Sequence, residues 1–305
     1  MTGNKPREGV TGISQLLLVV CITIWPTATH DEIAHFIYRE GGGLISNPVI
    51  SKRMKELDIT RVKVSTEAYQ AFLPANLRKE ALFWSEPPPV GVVGVRRRQM
   101  INVDEFGMEL NRTNRKYGWS INFIRIRTCG HYQRTTKLTV LLGIEAGDER
   151  LPAHQTGSIE NPARWIQVLR GTGTTAEVFA HFMQTIVDSV EERSVTLREL
   201  DLPYENERYV LWDNLNSHNS PIVQMVLYGR PDRNVRFSSI NRPPYQPKYG
   251  PIEYKICDVI HELQMDSQAE WDTDRLKQEL VIAATRIGPF DDAFEHCGYT
   301  VDGVY

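Results

Sequence analysis

The 305-residue sequence predicts an α/β protein led by a small all-α domain, and three observations carry that reading. Apolar, strand-like runs recur between residues 101 and 240. An amphipathic helix follows them behind a Pro-rich approach, Arg242-Pro-Pro-Tyr-Gln-Pro-Lys-Tyr-Gly-Pro251. The first 60 residues instead place their apolar side chains at helical spacing. The chain is long enough for one large core plus a small accessory domain, and 41% hydrophobic with 24% charged residues is an ordinary globular composition.

The N-terminal elements come first. Ile13–Trp25 is apolar and preceded by Lys5 and Arg7, as in a secretory signal, but no small-x-small cleavage site follows it. Thr29-His-Asp-Glu32 is a capping-box pattern that opens a helix carrying Ile33, Phe36 and Ile37, and Gly41-Gly42-Gly43 stops that helix. A third helix is expected with Asn47 as its cap and Pro48 at its first position, with Ile50, Met54 and Leu57 on one stripe. Its other face shows Ser51, Lys52, Arg53 and Lys55, and Arg61 and Lys63 extend the basic set. Three short helices with a basic third read as a helix-turn-helix over residues 1–65, whose recognition helix would enter the major groove of duplex DNA. A solvated helix face is the plain alternative.

Charge is divided in the same way. Residues 1–100 hold 13 Lys/Arg against 9 Asp/Glu, while residues 101–305 hold 22 against 29. The net charge of −3 therefore conceals a basic N-terminal third, and phosphate binding depends on such local clusters. Residues 66–99 read as a linker: a connecting helix from Thr66 to Trp84, then Pro87-Pro88-Pro89 and a Gly/Val stretch ending in Arg96-Arg97-Arg98. That basic run would touch DNA, assist nuclear import, or form a solvated loop.

From residue 100 onward the expected strands are Ile101–Phe106, Gly118–Arg127, Lys137–Ile144, Tyr209–Trp212 and Asn234–Ile240, whereas 145–176 do not fit a strand pattern. Three of these flanks deliver carboxylates. Asp104 shares a strand face with Asn102 and Phe106 while Glu105 points the other way. Asp213 ends an apolar run, at the carboxyl edge where open α/β sheets hold ligands. Glu253 sits in the first turn of a helix whose stripe is Ile252, Ile256, Val259, Ile260 and Leu263. Asp213 also suits a turn, and Glu253 also suits a helix dipole. Together the three would make an all-oxygen site for hard divalent cations.

These segments resemble the DDE superfamily of transposases, in particular its mariner and Tc-like branch. The resemblance rests on Asp104-Glu105, on Asp213-Asn214 followed by His218, and on Pro251-Ile252-Glu253 closing a Pro-rich stretch. Trp25-Pro-Thr-Ala-Thr-His-Asp-Glu-Ile-Ala34 and Ser51–Leu57 look like that family's second DNA-binding unit, and Phe294–Tyr299 looks like its last helix. About 65 residues precede Thr66, room for one such unit where relatives often carry two. Gly250 stands where Asn is usual, and the 39 residues between Asp213 and Glu253 exceed the common Tc-like spacing.

The resemblance implies an RNase H-like catalytic domain over residues 100–305, with a mixed five-stranded sheet flanked by helices. It implies Asp104, Asp213 and Glu253 as catalytic metal ligands for two Mg²⁺ or Mn²⁺ ions, and Asp104 as the bridging one. It further implies double-stranded DNA as partner, both terminal inverted repeats and target, with strand cleavage followed by 3′-hydroxyl strand transfer. A homodimer, the loop Gly157–Ile166 as a clamp on a partner subunit, and a nuclear location follow from the same source; for that loop a surface excursion with one buried Trp is the other reading. His218 would touch DNA or the attacking water, or be a surface or capping His.

Other classes fit less well. A domesticated, catalytically silent DNA-binding descendant is the main alternative. A host nuclease acting on RNA should lack the helix-turn-helix, and a nucleotide-dependent metabolic enzyme would need a G-x-G-x-x-G loop, for which Gly171-Thr-Gly173 is too short. No tract of about 18 apolar residues exists, so no membrane span is expected. Cys21, Cys129, Cys257 and Cys297 lie far apart without C-x-x-C spacing, which argues against zinc and suits a reducing compartment.

Overall fold

The computed structural model describes residues 12–60, 68–114, 136–171, 173–230, 232–265 and 271–301. The chain divides into two compact units, Met1–Thr66 and Glu67–Tyr305.

The first unit is built from α1 (Gly12–Ile24), α2 (His30–Arg39) and α3 (Asn47–Glu56). Each contributes one apolar stripe to a small core of Leu18, Cys21, Ile33, Ile37, Ile45 and Ile50. The capping box forms as the sequence indicates. Thr29 accepts from the Glu32 N–H at 3.3 Å, and the Thr29 N–H donates to Glu32 Oε2 at 2.6 Å. Gly42 is needed for close approach, because a Cβ there would lie 2.6 Å from Ile37 and 2.9 Å from Leu17. Its carbonyl accepts from the Ser14 hydroxyl at 2.6 Å, which ties the α2–α3 turn back to α1. Ser46, not Asn47, occupies the N-cap position of α3, without a side-chain capping bond; Asn47 lies inside the helix and donates from Nδ2 to Asp31 at 2.7 Å.

The second unit carries a five-stranded sheet in the order β3-β2-β1-β4-β5, formed by β1 (Met100–Met108), β2 (Leu138–Glu145), β3 (Arg164–Arg170), β4 (Glu207–Trp212) and β5 (Arg236–Asn241). β2 runs antiparallel to β1 and β3, while β1, β4 and β5 are parallel. This is the mixed, RNase H-like sheet the sequence suggests. β2 is buried along its whole length, as its continuous apolar run requires of a central strand covered on both faces. The β1–β4 ladder is short, pairing only Met100–Asn102 with Tyr209–Leu211.

Helices cover both faces. Ile101, Val103, Val210 and Trp212 pack against α5 (Ala176–Glu199) and α6 (Pro221–Tyr228) through Phe179, Ile186, Val223 and Leu227. On the opposite face, Met100, Leu142, Leu211 and Ile240 share a core with α4 (Pro74–Ser85), α7 (Pro251–Met265), α8 (Thr273–Arg286) and α9 (Asp291–His296).

Several expectations change. Among the described residues, the helix expected over Thr66–Trp84 runs from Pro74 to Ser85 behind a short 3-10 turn at Tyr69–Phe72, because Pro is at home in a first turn and Leu73 before it is extended. Residues read as a linker pack into this unit, with Phe83, Val92 and Val95 fully buried. Arg97 and Arg98 are not a solvated run: Arg97 pairs with Asp291 and Glu295, and Arg98 with Glu205 and Glu149, leaving only Arg96 exposed. Residues 164–170, expected to be irregular, form edge strand β3. Its charged and amide positions on a half-exposed edge blur the alternation, and Trp165 is buried against the α5 face. The last helix spans Asp291–His296, and Tyr299 lies beyond it. The strand expected at Gly118–Arg127 lies outside the described residues.

A buried ion cluster closes the other end of the sheet. Glu145, at the end of β2, is 1% exposed and held by Arg193 at 2.6 Å and by Arg208. Arg150 bridges Asp148 and Glu205 alongside, each at 2.6 Å.

Candidate active site

β1, β4 and β5 are adjacent and parallel, so their carboxyl ends lie along one edge of the sheet. Continuing the β1–β4 register from Asn102↔Leu211 sets Asp104 beside Asp213. Continuing β4–β5 from Trp212↔Asn241 sets Asp213 beside Arg242, whose N–H donates to the Trp212 carbonyl at 2.7 Å. All three stand two residues beyond Asn102, Leu211 and Ile240, and the last two of these pack on the α7 face.

Asn102 joins this edge to α7. It is fully buried, donates from Nδ2 to the Leu211 carbonyl at 2.9 Å, and accepts from the Ile252 N–H at 2.9 Å. The first turn of α7, and Glu253 with it, is thereby pinned to β1. Tyr249 and Gln246 anchor the Pro-rich approach by donating to Glu80 of α4, Gln246 at 3.1 Å.

The structure thus brings Asp104, Asp213 and Glu253 to one place. Asp213 and Glu253 line an open groove of about 650 Å³ with Asn214, Arg242, Lys79 and Gln70. Asp104 lies deeper, 7% exposed, and its Oδ2 accepts from Arg242 Nη2 at 2.5 Å. Glu253 remains exposed, yet its carboxyl is raised above the ordinary range, first by burial of that end and then by Asp104, with Arg242 opposing and Asp213 adding to the rise. For Arg242, burial disfavours the charge, but Asp104 beside it leaves the net shift upward.

Glu105 faces the opposite side, where it accepts from the Thr174 hydroxyl ahead of α5. His218 is neither a surface nor a simple capping residue. It is fully buried and stacked on Phe179 at 4.0 Å. Its Nδ1 lies 2.7 Å from Asp213 Oδ1 without hydrogen-bond alignment, and 3.4 Å from the Asp213 carbonyl oxygen. It steadies Asp213 from behind. In the first unit, Ser51, Lys52 and Lys55 are exposed on α3, while Arg53 is engaged by Glu56 at 2.6 Å. Arg61 and Lys63 lie outside the described residues.

The donor set fits a hard cation. Asp104 and Asp213 both act on the Glu253 carboxyl, and a guanidinium already rests on Asp104. As placed, the acids do not form a finished cage: among the described residues, no group of three His, Cys, Asp or Glu is arranged to hold a metal ion. Sequence reasoning gave no role to Arg242 or Asn102. A polar side chain two residues before Asp104 on a buried strand face was the available signal for Asn102.

Comparison with known proteins places the fold. No family model matches the sequence. No curated protein matches it. Among solved structures, the chain is similar to the Mos1 mariner paired end complex with Mn, at TM-score 0.61 and 12% identity over 98% of this chain and 78% of that one. It is similar to the Mos1 strand transfer complex at TM-score 0.58 and 13% identity, over 98% and 77% of the two chains. The Mos1 paired end complex with Mg gives TM-score 0.58 and 13% identity over 97% and 78%.

Proposed function

We propose that this chain, which shares the fold of Mos1 mariner transposase, is a DDE transposase of the mariner/Tc-like kind that binds element ends, cleaves them and transfers the 3′ strand to target DNA. The observation that carries the reading is the convergence of Asp104, Asp213 and Glu253 at one sheet edge and one helix start. Asp104, the most buried, would together with Asp213 and Glu253 hold the Mg²⁺ or Mn²⁺ ions, which would supply activation of the attacking oxygen and charge stabilisation of the leaving one. The protein's own part is positional: Asn102 fixes α7 against β1, His218 backs Asp213, and the open groove admits a strand.

Duplex recognition falls to α3, through Ser51, Lys52, Arg53 and Lys55 and the adjoining Arg61 and Lys63. Residues 1–65 would serve as that domain and 100–305 as the catalytic one, with residues 68–99 packed into the latter. Action in the nucleus as a homodimer belongs to the same proposal. The alternative of a silent, DNA-binding descendant draws on one observation, the guanidinium that occupies Asp104.

The test is strand cleavage and strand transfer by the purified chain on duplexes carrying the inverted repeats that flank its reading frame, with Mg²⁺ or Mn²⁺. Asp104→Asn, Asp213→Asn and Glu253→Gln should each lose both steps while keeping DNA binding. A wild type that binds these ends without nicking them would leave the silent reading.

A further inference from the structure

Arg242 and Gly250 form a matched pair whose purpose the fold alone does not explain. Arg242 is 5% exposed, yet its guanidinium makes one hydrogen bond, Nη2 to Asp104 Oδ2 at 2.5 Å. Its Nε and Nη1 are buried with no hydrogen-bond partner among the described residues. Burying such a group on a single contact leaves much of its lost hydration unreturned. The inward pose is also sterically conditional. A Cβ on Gly250 would overlap Nη1 and come within 2.9 Å of Cζ. Nothing else demands glycine there: its backbone, φ −103° and ψ 104°, suits any residue, and the next neighbour is Glu253 Cγ at 3.3 Å. The sequence departs from the family pattern at Gly250, and the departure is what makes room for the guanidinium.

We propose that Arg242 is a built-in countercation of the acidic site, which holds the Asp104 carboxylate until a divalent ion displaces it, so that Gly250 sets the metal affinity by admitting the guanidinium. The proposal rests on the metal-site reading above. Arg242 is here a positioning residue, acting through Asp104. Two cations compete for one carboxylate, and the guanidinium, with two donors unspent, is poised to leave.

The experiment is Mn²⁺ binding to the full chain without DNA, followed by calorimetry and by the loss of the free-ion paramagnetic resonance signal. Arg242→Gln should bind Mn²⁺ at least tenfold more tightly than wild type, since a positive charge no longer competes at contact distance. Gly250→Ala should also tighten binding, but should add nothing in an Arg242→Gln background, because its only effect is to expel the guanidinium. Equal or weaker affinity in Arg242→Gln, with wild-type binding abolished by Asp104→Asn, would overturn the countercation role and leave the metal site standing. Absence of Mn²⁺ binding from wild type and both variants would overturn the metal-site reading and this proposal with it. Should Arg242→Gln fail to fold, Gly250→Ala decides alone, and an unchanged affinity rejects the proposal.

Discussion

Asn102 and Ile252, 150 residues apart, are joined by a 2.9 Å hydrogen bond from the backbone N–H at the start of α7 to a side chain inside β1. The same amide donates to the Leu211 carbonyl, so one buried side chain ties the Asp104 strand, the Asp213 strand and the Glu253 helix. Asn102→Leu, similar in size, should leave one N–H and one carbonyl unsatisfied, at roughly 1–3 kcal/mol each. Chemical denaturation reads the loss; a change below about 0.5 kcal/mol would mean that the tie is dispensable.

Glu253 should reveal its crowding through pH. Its folded carboxyl is raised by burial and by Asp104, so the folded state holds a proton that the unfolded chain gives up. The ionised group then costs stability, a cost absent below the ordinary carboxylate value of about 4.3 and complete above the raised folded value. Glu253→Gln should therefore gain thermal stability relative to wild type as pH rises from 4 to 7. Midpoints that run parallel across that range would contradict the shift.

Glu145 carries the opposite sign. Burial alone would raise its carboxyl, but Arg193 and Arg208 hold it below the ordinary range. Its contribution is present above the unfolded value and is lost as pH falls through the depressed folded one. Glu145→Ala leaves the buried guanidinium of Arg208 and the partly buried one of Arg193 without their shared partner and should cost about 3–5 kcal/mol at pH 7. A smaller penalty at acidic pH, measured on the same denaturation curves, completes the check.

For α3 the readout is salt. Replacing Lys52, Arg53 and Lys55 with Ala should weaken duplex binding and flatten the slope of log affinity against log salt. Arg53 should matter least, since Glu56 already engages it. A slope that stays the same would remove α3 from the phosphate contacts.

The placement of Asp104, Asp213 and Glu253 on two neighbouring strands and a helix start is legible because each belongs to a local pattern: an apolar run with an Asp, or a Pro-rich approach opening a helix. Periodicity likewise revealed the Thr29 capping box, the stripe of α7 and four of the five strands. What stayed hidden depends on partners distant in sequence. Arg242 meets Asp104 across 138 residues, and the Glu145 cluster draws on β2, α5 and β4. β3 escaped because edge strands tolerate charged positions that break alternation. The 24-residue α5 had a visible start at its Thr175 cap, yet was not read as a helix. Its buried Phe179 explains why His218 lies inside the protein, a placement no local pattern conveys.

The β1–β4 ladder ends at Asn102 and Leu211, two residues short of both aspartates. Asp213 therefore stands past the end of that ladder, while Asp104 stays welded to β2 through its pairing with Leu142. On the β4 side the Arg242 N–H holds the Trp212 carbonyl at 2.7 Å, so each aspartate is fastened to its outer neighbour strand and not to the other. Two further pairs on the β1–β4 ladder would set the two backbones at the strand spacing of about 4.8 Å. The seam between β1 and β4 is thus left unstitched beside the acids, and the guanidinium of Arg242 reaches across it to Asp104 instead.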